Sequence, residues 1–580
     1  MNRLTFPTRD ALRRLPFTSA DVAIIIGALA LIVVVAFVGS TALVPFQPPD
    51  VLPEPISLEI VHLPYYLARS TLRMFIALFF SLLFTFTYGY IAAHSPRAER
   101  VLIPLLDVLQ SVPVLGFLSV TITFFIALFR GSLLGLEAAS IFAIFTSQVW
   151  NMTFSFYHSL RTVPREQQEM ARLFRLPRWQ YFTKVETPNA MIGLTWNTMM
   201  SFGGGWFFVA ASEAISVLNQ DYRLPGIGAY VTEAIDQQNF GALIAAIVAM
   251  AVMIILVDQL VWRPIIAWAQ KFRNEQSEAN ETPTSWVLDL WRAARLPSLI
   301  GEALRPVNEF INRALSGMLT PGAVRETKPR TPSPAWVDWA YNGSIVALVI
   351  VGAAVLIQFI VGQVGLLEVG HAFVLGLITM LRVAALTVIS TLIWTPVGVA
   401  IGFNPKLARI IQPVAQFMSA FPANFLFPFV TVALITTGIS LNLGSVLLMS
   451  LGAQWYVLFN IIAGAQTIPS DLREMATNMG LRGWKLWRRL IIPGIFSAWV
   501  TGGITASGGA WNASIVAEMV SWGDVTLTAN GLGAYIANAT EVGDWPRIAL
   551  GVGMMALFVV LLNRLFWRRL YALAESKYVL

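Results

Sequence analysis

Long apolar stretches alternate with short polar or basic ones along almost the whole chain. A helix that crosses a bilayer needs about 20 predominantly apolar residues. The first half offers six such runs, at about residues 22–44, 66–93, 101–129, 134–159, 189–216 and 241–265. The second half offers six more, at about 344–364, 374–402, 409–436, 442–464, 494–520 and 548–567. The pattern predicts an all-α polytopic membrane protein with about twelve transmembrane helices.

Composition agrees with this class and excludes others. Of the 580 residues, 56% are hydrophobic and only 12% are charged, and the mean hydropathy is +0.66, which is far too apolar for a soluble globular protein. There is no cysteine, so disulfides and thiolate metal sites are excluded, and the four scattered histidines suggest no metal site either. The first apolar run, 22–44, is longer than a signal-peptide core, so we expect it to remain as the first span.

The basic residues orient the predicted spans. The net charge is +7, but Lys and Arg are concentrated between the apolar runs, as in 161–184 and 473–489. Cytoplasmic loops carry this excess of Lys and Arg, so the basic side should be the cytoplasm, with both termini inside. We therefore expect a multi-pass membrane protein that contacts lipid and binds no nucleic acid.

A polar and then amphipathic segment, residues 268–338, interrupts the pattern of spans. Its apolar and basic positions alternate at roughly helical spacing, which is typical of a helix lying on a membrane surface. A regulatory domain is the alternative. The chain then divides into a first repeat (1–267), a cytoplasmic linker (268–338) and a second repeat (339–580).

The two sets of six runs are copies of each other. Pro164 and Pro469 differ by 305 positions, as do many later pairs, whereas Arg73 and Arg382, like other early pairs, differ by 309. Both halves begin on the same side of the membrane, so the repeat is parallel. Parallel repeats related by an axis along the membrane normal suggest a path between the halves.

A Gly-Gly-x-Trp-x6-Glu pattern occurs once in each half, inside an apolar run. Its members are Gly203, Gly204, Trp206 and Glu213 in the first half, and Gly508, Gly509, Trp511 and Glu518 in the second. The glycines suit either a place where helices cross and line a passage through the membrane, or a place where helices pack tightly. Each Trp either gates the passage or packs in the bundle.

The carboxylates of this pattern are the stronger signal. Glu213 and Glu518 fall in or near the bilayer core, where an ionisable group costs a few kcal/mol and tends to face a cavity or a partner. We expect them to face the path or its outer gate. Arg73 and Arg382 are candidate partners, unless they snorkel to the surface.

A long basic loop follows the fourth run of each half. The two loops read EMARLFRLPRWQYFTKVETP (169–188) and EMATNMGLRGWKLWRRLIIP (474–493). Apolar positions at 170, 173, 174 and 176 suit a short amphipathic helix that offers one side to another protein. In the second loop Gly480 suits a left-handed turn, whereas in the first loop Pro177 predicts a different, stiffer route through Leu176.

These loops resemble the "EAA" loop of membrane subunits of binding-protein-dependent ABC importers. The glutamate, the alanine two residues on and the terminal proline occur twice in register, although the motif glycine is present only as Gly480. The segments PGIGAY (225–230) and NGLGAY (530–535) further resemble the nitrate, sulfonate and taurine branch. The resemblance implies a fused, duplicated permease of that anion branch, with a cytoplasmic coupling helix in each half.

The resemblance also implies roles and partners. The residues that would couple the chain to an ATPase are Glu169, Ala171, Arg175, Leu176, Pro188, Glu474, Ala476, Gly480, Leu481 and Pro493. The implied partners are two ATP-binding cassette subunits on the cytoplasmic side and a soluble substrate-binding protein on the outer side. No phosphate-binding G-x-x-x-x-G-K-[ST] motif occurs in this chain, so ATP and Mg would be bound by the ATPase subunits, and the chain itself is expected to be no enzyme and to hold no cofactor.

The function expected on this basis is ATP-driven import of a small solute by alternating access across the bacterial cytoplasmic (inner) membrane, and the branch resemblance favours an anion as that solute. A secondary transporter with a parallel six-plus-six repeat is an alternative, although it leaves the twin loops unexplained. An importer of iron or of a thiamine-like cargo is another. A membrane enzyme or receptor has no supporting constellation of residues in the sequence.

Overall fold

The computed structural model describes residues 18–42, 55–129, 133–217, 220–272, 284–318 and 335–577. The helices of the first half are Ser19–Ala42, Leu63–His94, Pro96–Ser111, Leu118–Leu128, Leu134–Arg161, Arg165–Leu173, Arg178–Tyr181, Thr187–Ser212, Ile227–Asp236, Phe240–Val257 and Arg263–Ala269. Those of the second half are Ala335–Gly402, Pro405–Ala420, Phe427–Thr437, Leu441–Thr467, Ser470–Asn478, Trp484–Leu486, Ile492–Ala517, Leu532–Val542, Trp545–Leu562 and Arg568–Lys577. The all-α polytopic fold is confirmed.

Short helical pieces complete these elements. The 3-10 turns are Ile60–His62, Val114–Phe117, Gln270–Phe272 and Ala423–Leu426. The π-helical turns are Phe182–Glu186, Asp258–Trp262, Trp487–Ile491 and Asn563–Trp567. The four π turns form two pairs that are each 305 positions apart, so even this irregularity is duplicated.

Helices cover most of each predicted apolar run. These helices differ in length and in how apolar they are. Among the described residues six helices are long and apolar enough to cross a membrane, or seven with one bent pair. Two further helices, Leu134–Arg161 and Thr187–Ser212, have 28 and 26 residues and are long enough but more polar. The long helix Ala335–Gly402 is interrupted at Gly365 (φ 79°), which separates the predicted runs 344–364 and 374–402.

Two of the predicted straight spans are broken. Pro405–Ala420 and Ala423–Thr437 meet at a bend of 86°. The run 101–129 is likewise divided before Pro113. Proline disfavours helical backbone at the preceding residue, and both Val112 and Phe421 are extended. The matched prolines therefore make the same break in each half.

Three packed helices form the body of each half. In the first half Leu134–Arg161 lies between Leu63–His94 and Thr187–Ser212. In the second, Leu441–Thr467 lies between Ala335–Gly402 and Ile492–Ala517 in the same way. The fully buried Met74, Phe156 and Tyr230 belong to the first core. Because both bodies have the same order, corresponding residues occupy corresponding places.

A short β-hairpin, which the sequence did not predict, ends each three-helix body. Ala214–Val217 pairs antiparallel with Gln220–Arg223, and Met519–Trp522 pairs with Val525–Thr528. The predicted run 189–216 therefore stops being helical at Ser212. We call this end of the bundle the hairpin side. The opposite end, where the loops 164–186 and 469–491 lie, is the basic side, and these two segments are the first and second basic loops.

The segment between the halves contains helices Trp286–Ala293 and Leu296–Met318. The Leu296 amide donates to Asp21 Oδ1 at 2.6 Å, at the start of the first helix. The Trp179 indole, in the first basic loop, donates to Asn312 Oδ1 at 2.9 Å. The second helix of the linker therefore lies beside the first basic loop. Its exposed apolar side chains are Leu299, Ile300, Leu304, Val307 and Phe310.

Candidate functional site

A cavity of about 740 Å³ lies between the two halves and is lined by both. Five residues of the duplicated Gly-Gly-x-Trp-x6-Glu pattern line it, namely Gly203, Gly204, Gly508, Gly509 and Trp511. Polar lining is supplied by Gln110, Asn151, Ser201, Tyr456, Thr505 and Asn512. The cavity is thus built where the glycine pairs remove side chains.

The glycines combine the two roles that the sequence left open. A Cβ at Gly203 would lie 3.1 Å from Cβ of Ala420, so tight packing between the halves requires a small residue there. Gly204 and Gly509 both lie beside Tyr456, since a Cβ added at each would be 3.7 Å and 3.6 Å from that side chain. A Cβ at Gly508 would meet nothing within 4 Å. These positions therefore serve both roles, with close packing at Gly203 and open cavity wall at Gly508.

The two tryptophans are not equivalent. Trp511 is 1% exposed and lines the main cavity, whereas Trp206 is 2% exposed and lines an adjoining crevice of about 510 Å³. Trp206 packs edge to face on Phe202, and Trp511 stacks on Phe558 with 6.3 Å between ring centroids. Each indole is therefore a packed core residue as well as a wall of a crevice.

The cavity extends toward the basic side and ends before the hairpin side. Its lining includes Arg564, Arg568 and Tyr571, near the basic-side end of the chain's last helices. At the other end the lining stops at Phe208 and Ala513, five residues before Glu213 and Glu518. Neither carboxylate lines the cavity, and both are fully buried. A role for them in the path or its outer gate stays a prediction.

In the first half Glu213 joins three elements. Its carboxylate accepts hydrogen bonds from Arg73, from Ser70 Oγ at 2.6 Å and from the Gly228 amide at 2.7 Å. Ser70 Oγ in turn accepts from the Ile227 amide at 3.0 Å. The carboxylate thus ties Leu63–His94 to the N-terminus of Ile227–Asp236. A Cβ at Gly226 would overlap the carboxylate, so this glycine is needed for space.

In the second half Glu518 makes the same connections. It accepts from Arg382 Nη1 at 2.7 Å, from Thr379 Oγ1 at 2.9 Å and from the Gly533 amide at 2.8 Å. Thr379 Oγ1 accepts from the Leu532 amide at 2.9 Å, as Ser70 does from Ile227. We call each of these assemblies a carboxylate clasp. The clasp explains why the sequence repeats Arg, Glu and the Gly-x-Gly turn.

Sequence reasoning missed the hydroxyl residue of each clasp, Ser70 or Thr379, and a further partner of each arginine. Arg73 also donates to both oxygens of Glu137, with Nη2 to Oε1 at 2.7 Å. In the second half Arg382 donates to Asn442, with Nη2 to Oδ1 at 2.8 Å. Glu137 and Asn442 are 305 positions apart, so the repeat could have revealed them, but they are not identical and a search for identical pairs passes over them.

The two clasps contain different charged groups, but in each clasp the positive and negative charges are equal in number. Glu137 also pairs with Arg69, which is buried, so the first clasp holds two guanidiniums and two carboxylates. In the second clasp Asn442 replaces the carboxylate and Ile378 stands at the position of Arg69, leaving one guanidinium and one carboxylate. Because an unpaired buried charge is very costly, the two replacements are only tolerable together.

The halves also meet on the hairpin side. The Gly523 amide, in the second hairpin, donates to the carbonyl of Ile235 in the first half at 3.2 Å. Trp522 of the same hairpin packs on Phe240, with 4.5 Å between ring centroids. Deeper in the bundle the Val114 amide donates to Asn512 Oδ1 at 3.0 Å. These contacts close the hairpin side while the cavity reaches the basic side.

Both basic loops are helix-turn-helix. Arg165–Leu173 and Ser470–Asn478 form the outer helices, in which Ala171 and Ala476 are buried and Glu169 and Glu474 are exposed. Pro188 and Pro493 stand in the first turn of the following long helices. Apolar side chains on the outer surface of the loops stay exposed, namely Met170, Leu173 and Phe174 in the first and Met475, Met479 and Trp484 in the second.

The turn of the first loop differs from the stiffer route expected through Pro177. Arg175 itself has a left-handed backbone (φ 47°), as Gly480 does (φ 69°). The Leu176 amide donates to the Ala171 carbonyl at 3.0 Å, and the Leu481 amide donates to Ala476 at 2.9 Å. Both loops therefore use the same helix-ending turn, and the first adopts it at the cost of a strained arginine.

The charge balance of the clasps can be tested by converting the first into the second. We expect Glu137→Asn alone to destabilise the protein by about 3 kcal/mol, because it leaves two buried guanidiniums with one carboxylate. Adding Arg69→Ile should restore most of that loss, which the thermal unfolding midpoint in detergent would measure. Glu302→Asn, on the exposed linker, is the control. A double variant no more stable than Glu137→Asn would refute the charge-balance argument.

The loop turns make a second prediction. Arg175→Gly should stabilise the first turn by about 1 kcal/mol, and Gly480→Arg should destabilise the second by a similar amount, because only glycine adopts this backbone without strain. Amide exchange of Leu176 and Leu481, whose hydrogen bonds close the turns, would report the local opening. Faster exchange in Arg175→Gly would contradict this reading.

Comparison with known proteins agrees with this geometry. The family described as "Binding-protein-dependent transport system inner membrane component" matches residues 85–261 and again 393–577, more than half of the chain. Among curated relatives, the "Nitrate import permease protein NrtB" of Leptolyngbya laminosa is 24% identical over 34% of this chain and 66% of its own length. The "Bicarbonate transport system permease protein CmpB" of Synechococcus elongatus is 25% identical over 23% of this chain and 45% of its own.

A third relative, the "Taurine transport system permease protein TauC" of Escherichia coli, is 25% identical over 29% of this chain and 58% of its own length. The matches to these relatives thus span between about half and two thirds of their lengths. The duplicated family match covers the residues that line the cavity, both basic loops, and Glu213 and Glu518, whereas Arg73 and Arg382 of the clasps precede the matched ranges. The chain therefore belongs to the family of inner membrane components of binding-protein-dependent transport systems and contains two copies of its domain.

Proposed function

We propose that this chain forms both walls of the translocation pathway of an ATP-driven importer that moves a small anion into the cytoplasm by alternating access. The observation that carries the proposal is the cavity between the duplicated halves. It extends to the basic side and not to the hairpin side, and the two basic loops lie on the side to which it extends. A secondary transporter would not need the twin loops, and the family match favours the ATP-driven class.

In this proposal the basic side is the cytoplasm. The positive-inside rule supports this orientation, because both basic loops lie there and both termini would then be cytoplasmic. The cavity would then face inward, and the hairpin side would be the closed outer gate. The clasps, which fix the ends of the long helices near the hairpins, would hold each half of that gate as one rigid piece.

The partners are proposed from the exposed loop surfaces. An apolar side chain such as Phe174, 74% exposed, or Met479, 70% exposed, suits a groove in another protein. Two ATP-binding cassette subunits would dock there, one under each loop, beside Glu169 and Glu474, and would supply ATP and Mg. A soluble substrate-binding protein would dock on the hairpin side. The linker helix Leu296–Met318 would lie along the membrane surface, with its apolar side chains toward lipid.

The cargo class is proposed from the relatives and from the cavity wall. The relatives carry names of nitrate, bicarbonate and taurine systems. Asp107 is the one carboxylate among the residues that line the described cavity, whereas two arginines and several neutral donors line it as well. Iron or a thiamine-like cation would be expected to prefer more carboxylates, so the lining favours an anion.

Docking of the ATPase subunits can be tested with charged substitutions. Met170→Asp with Phe174→Asp, and separately Met475→Asp with Met479→Asp, should each release the ATPase subunit under the substituted loop and so reduce the ATPase that co-purifies with the chain by about half, because a carboxylate cannot enter an apolar groove without desolvation. Val542→Asp, at a similarly exposed position on the hairpin side, is the control. Normal co-purification by all three variants would rule out docking at these loops.

The cargo class is tested by uptake. Cells that lack the chain should regain uptake of labelled nitrate, bicarbonate or taurine when it is returned together with its partner subunits. Labelled thiamine and iron serve as competing cargoes. Restored uptake of either of those, without uptake of any anion, would replace the anion proposal with a cation one.

A further inference from the structure

The basic-side mouth of the cavity is not symmetric. Arg564 and Arg568 line the main cavity from the second half and are exposed to it. The positions 305 residues earlier are Gln259 and Arg263, which line the smaller crevice. The duplicated walls therefore differ in charge at this mouth.

In the first half the single arginine is neutralised by its neighbour. Arg263 Nε donates to Asp258 Oδ2 at 3.0 Å. The counterpart of Asp258 is Asn563, which carries no charge. Within the described chain neither Arg564 nor Arg568 has a carboxylate within ion-pair distance. Asp107, which lines the same cavity, attracts both arginines electrostatically at longer range.

A buried donor lies between the two arginines. Arg564, Trp567, Arg568 and Tyr571 recur at helical spacing and all line the cavity. The Trp567 side chain is 3% exposed, and its Nε1 has no hydrogen-bond acceptor in the described part of the chain. An indole N–H can only donate, so a buried one without an acceptor is costly. Trp511 Nε1, deeper in the same cavity, also has none.

Two guanidiniums and an indole N–H form a set of donors for which the described residues supply no acceptor, which is the chemistry of an oxyanion site. Guanidiniums bind planar or tetrahedral oxyanions through paired N–H donors. We propose that Arg564, Trp567 and Arg568 bind a small oxyanion at the basic-side mouth of the cavity, with Asp107 as the internal counter-ion that competes with it. The site rests on the proposed function, because it would be the last stop of the anion before release.

Binding to the purified full-length chain tests this site. Labelled nitrate and sulfate are the probes, measured by equilibrium dialysis in a neutral detergent. We expect Arg564→Gln with Arg568→Gln, which recreates the glutamine of the first half, to weaken binding of the probes about ten-fold or more. Arg569→Gln, one position along and outside the cavity lining, should bind normally. Asp107→Asn should bind more tightly, a change that damaged folding could not produce.

Other outcomes would overturn the site. Equal binding by the arginine double variant and the wild-type chain would do so, as would an equal loss in Arg569→Gln. A lipid phosphate could occupy the same donors, so phosphatidylglycerol retained by each variant is measured by mass spectrometry. Loss of that lipid in the double variant, with nitrate and sulfate binding unchanged, would assign the arginines to the membrane.

Uptake separates this site from the proposed function. If cells carrying the wild-type chain import no anion although the chain binds nitrate, the proposed function fails and the site stands. In the double variant, the rate of anion uptake is measured at several anion concentrations inside the cell. If the rate and its change with internal concentration both equal those of the wild-type chain, the site fails and the proposed function stands.

Discussion

A carboxylate buried among membrane helices has to be neutralised and hydrogen-bonded where it lies, because water is not there to solvate it. Glu213 and Glu518 meet this requirement with an arginine from one helix, a hydroxyl one turn earlier on that helix and an amide from the Gly-x-Gly turn. Three elements converge on each carboxylate. The positions of the long helices, and so the shape of the cavity between the halves, depend on this convergence.

The same constraint explains which parts of the duplicated clasps have diverged. The second clasp lacks the carboxylate of Glu137 and the guanidinium of Arg69, and Asn442 retains the hydrogen bond to the arginine without the charge. Charge changed in pairs, while the direct Arg-to-Glu contact stayed in both halves. At the cavity mouth solvent reaches the side chains, so a substitution that changes the charge does not need a compensating one. There Asn563 and Arg564 stand where the first half has Asp258 and Gln259.

Much of this architecture could be predicted from the sequence, because long apolar runs and repeated residues at a constant spacing specify it. Apolar runs predicted the helices, and the constant offsets predicted the repeat and brought Arg73 and Glu213 forward as candidate partners. The breaks before Pro113 and Pro422 follow from a known property of proline, but helical hydropathy continues across them, so the runs looked uninterrupted. The hairpins were missed because strands of four residues at the end of an apolar run show no period of their own.

Other features lay beyond sequence reasoning for physical reasons. Arg175 has a left-handed backbone that arginine rarely adopts, and only the hydrogen bond from Leu176 to Ala171 reveals why the turn persists. The linker adds a further difference between the loops. Asn312 accepts from Trp179, whereas the matching Trp484 of the second loop is 71% exposed. Because both halves belong to one chain, the two loops can differ. The first loop has a strained turn and a contact with the linker, whereas the second has an unstrained turn and an exposed tryptophan. Two separate copies of one half could not differ in this way.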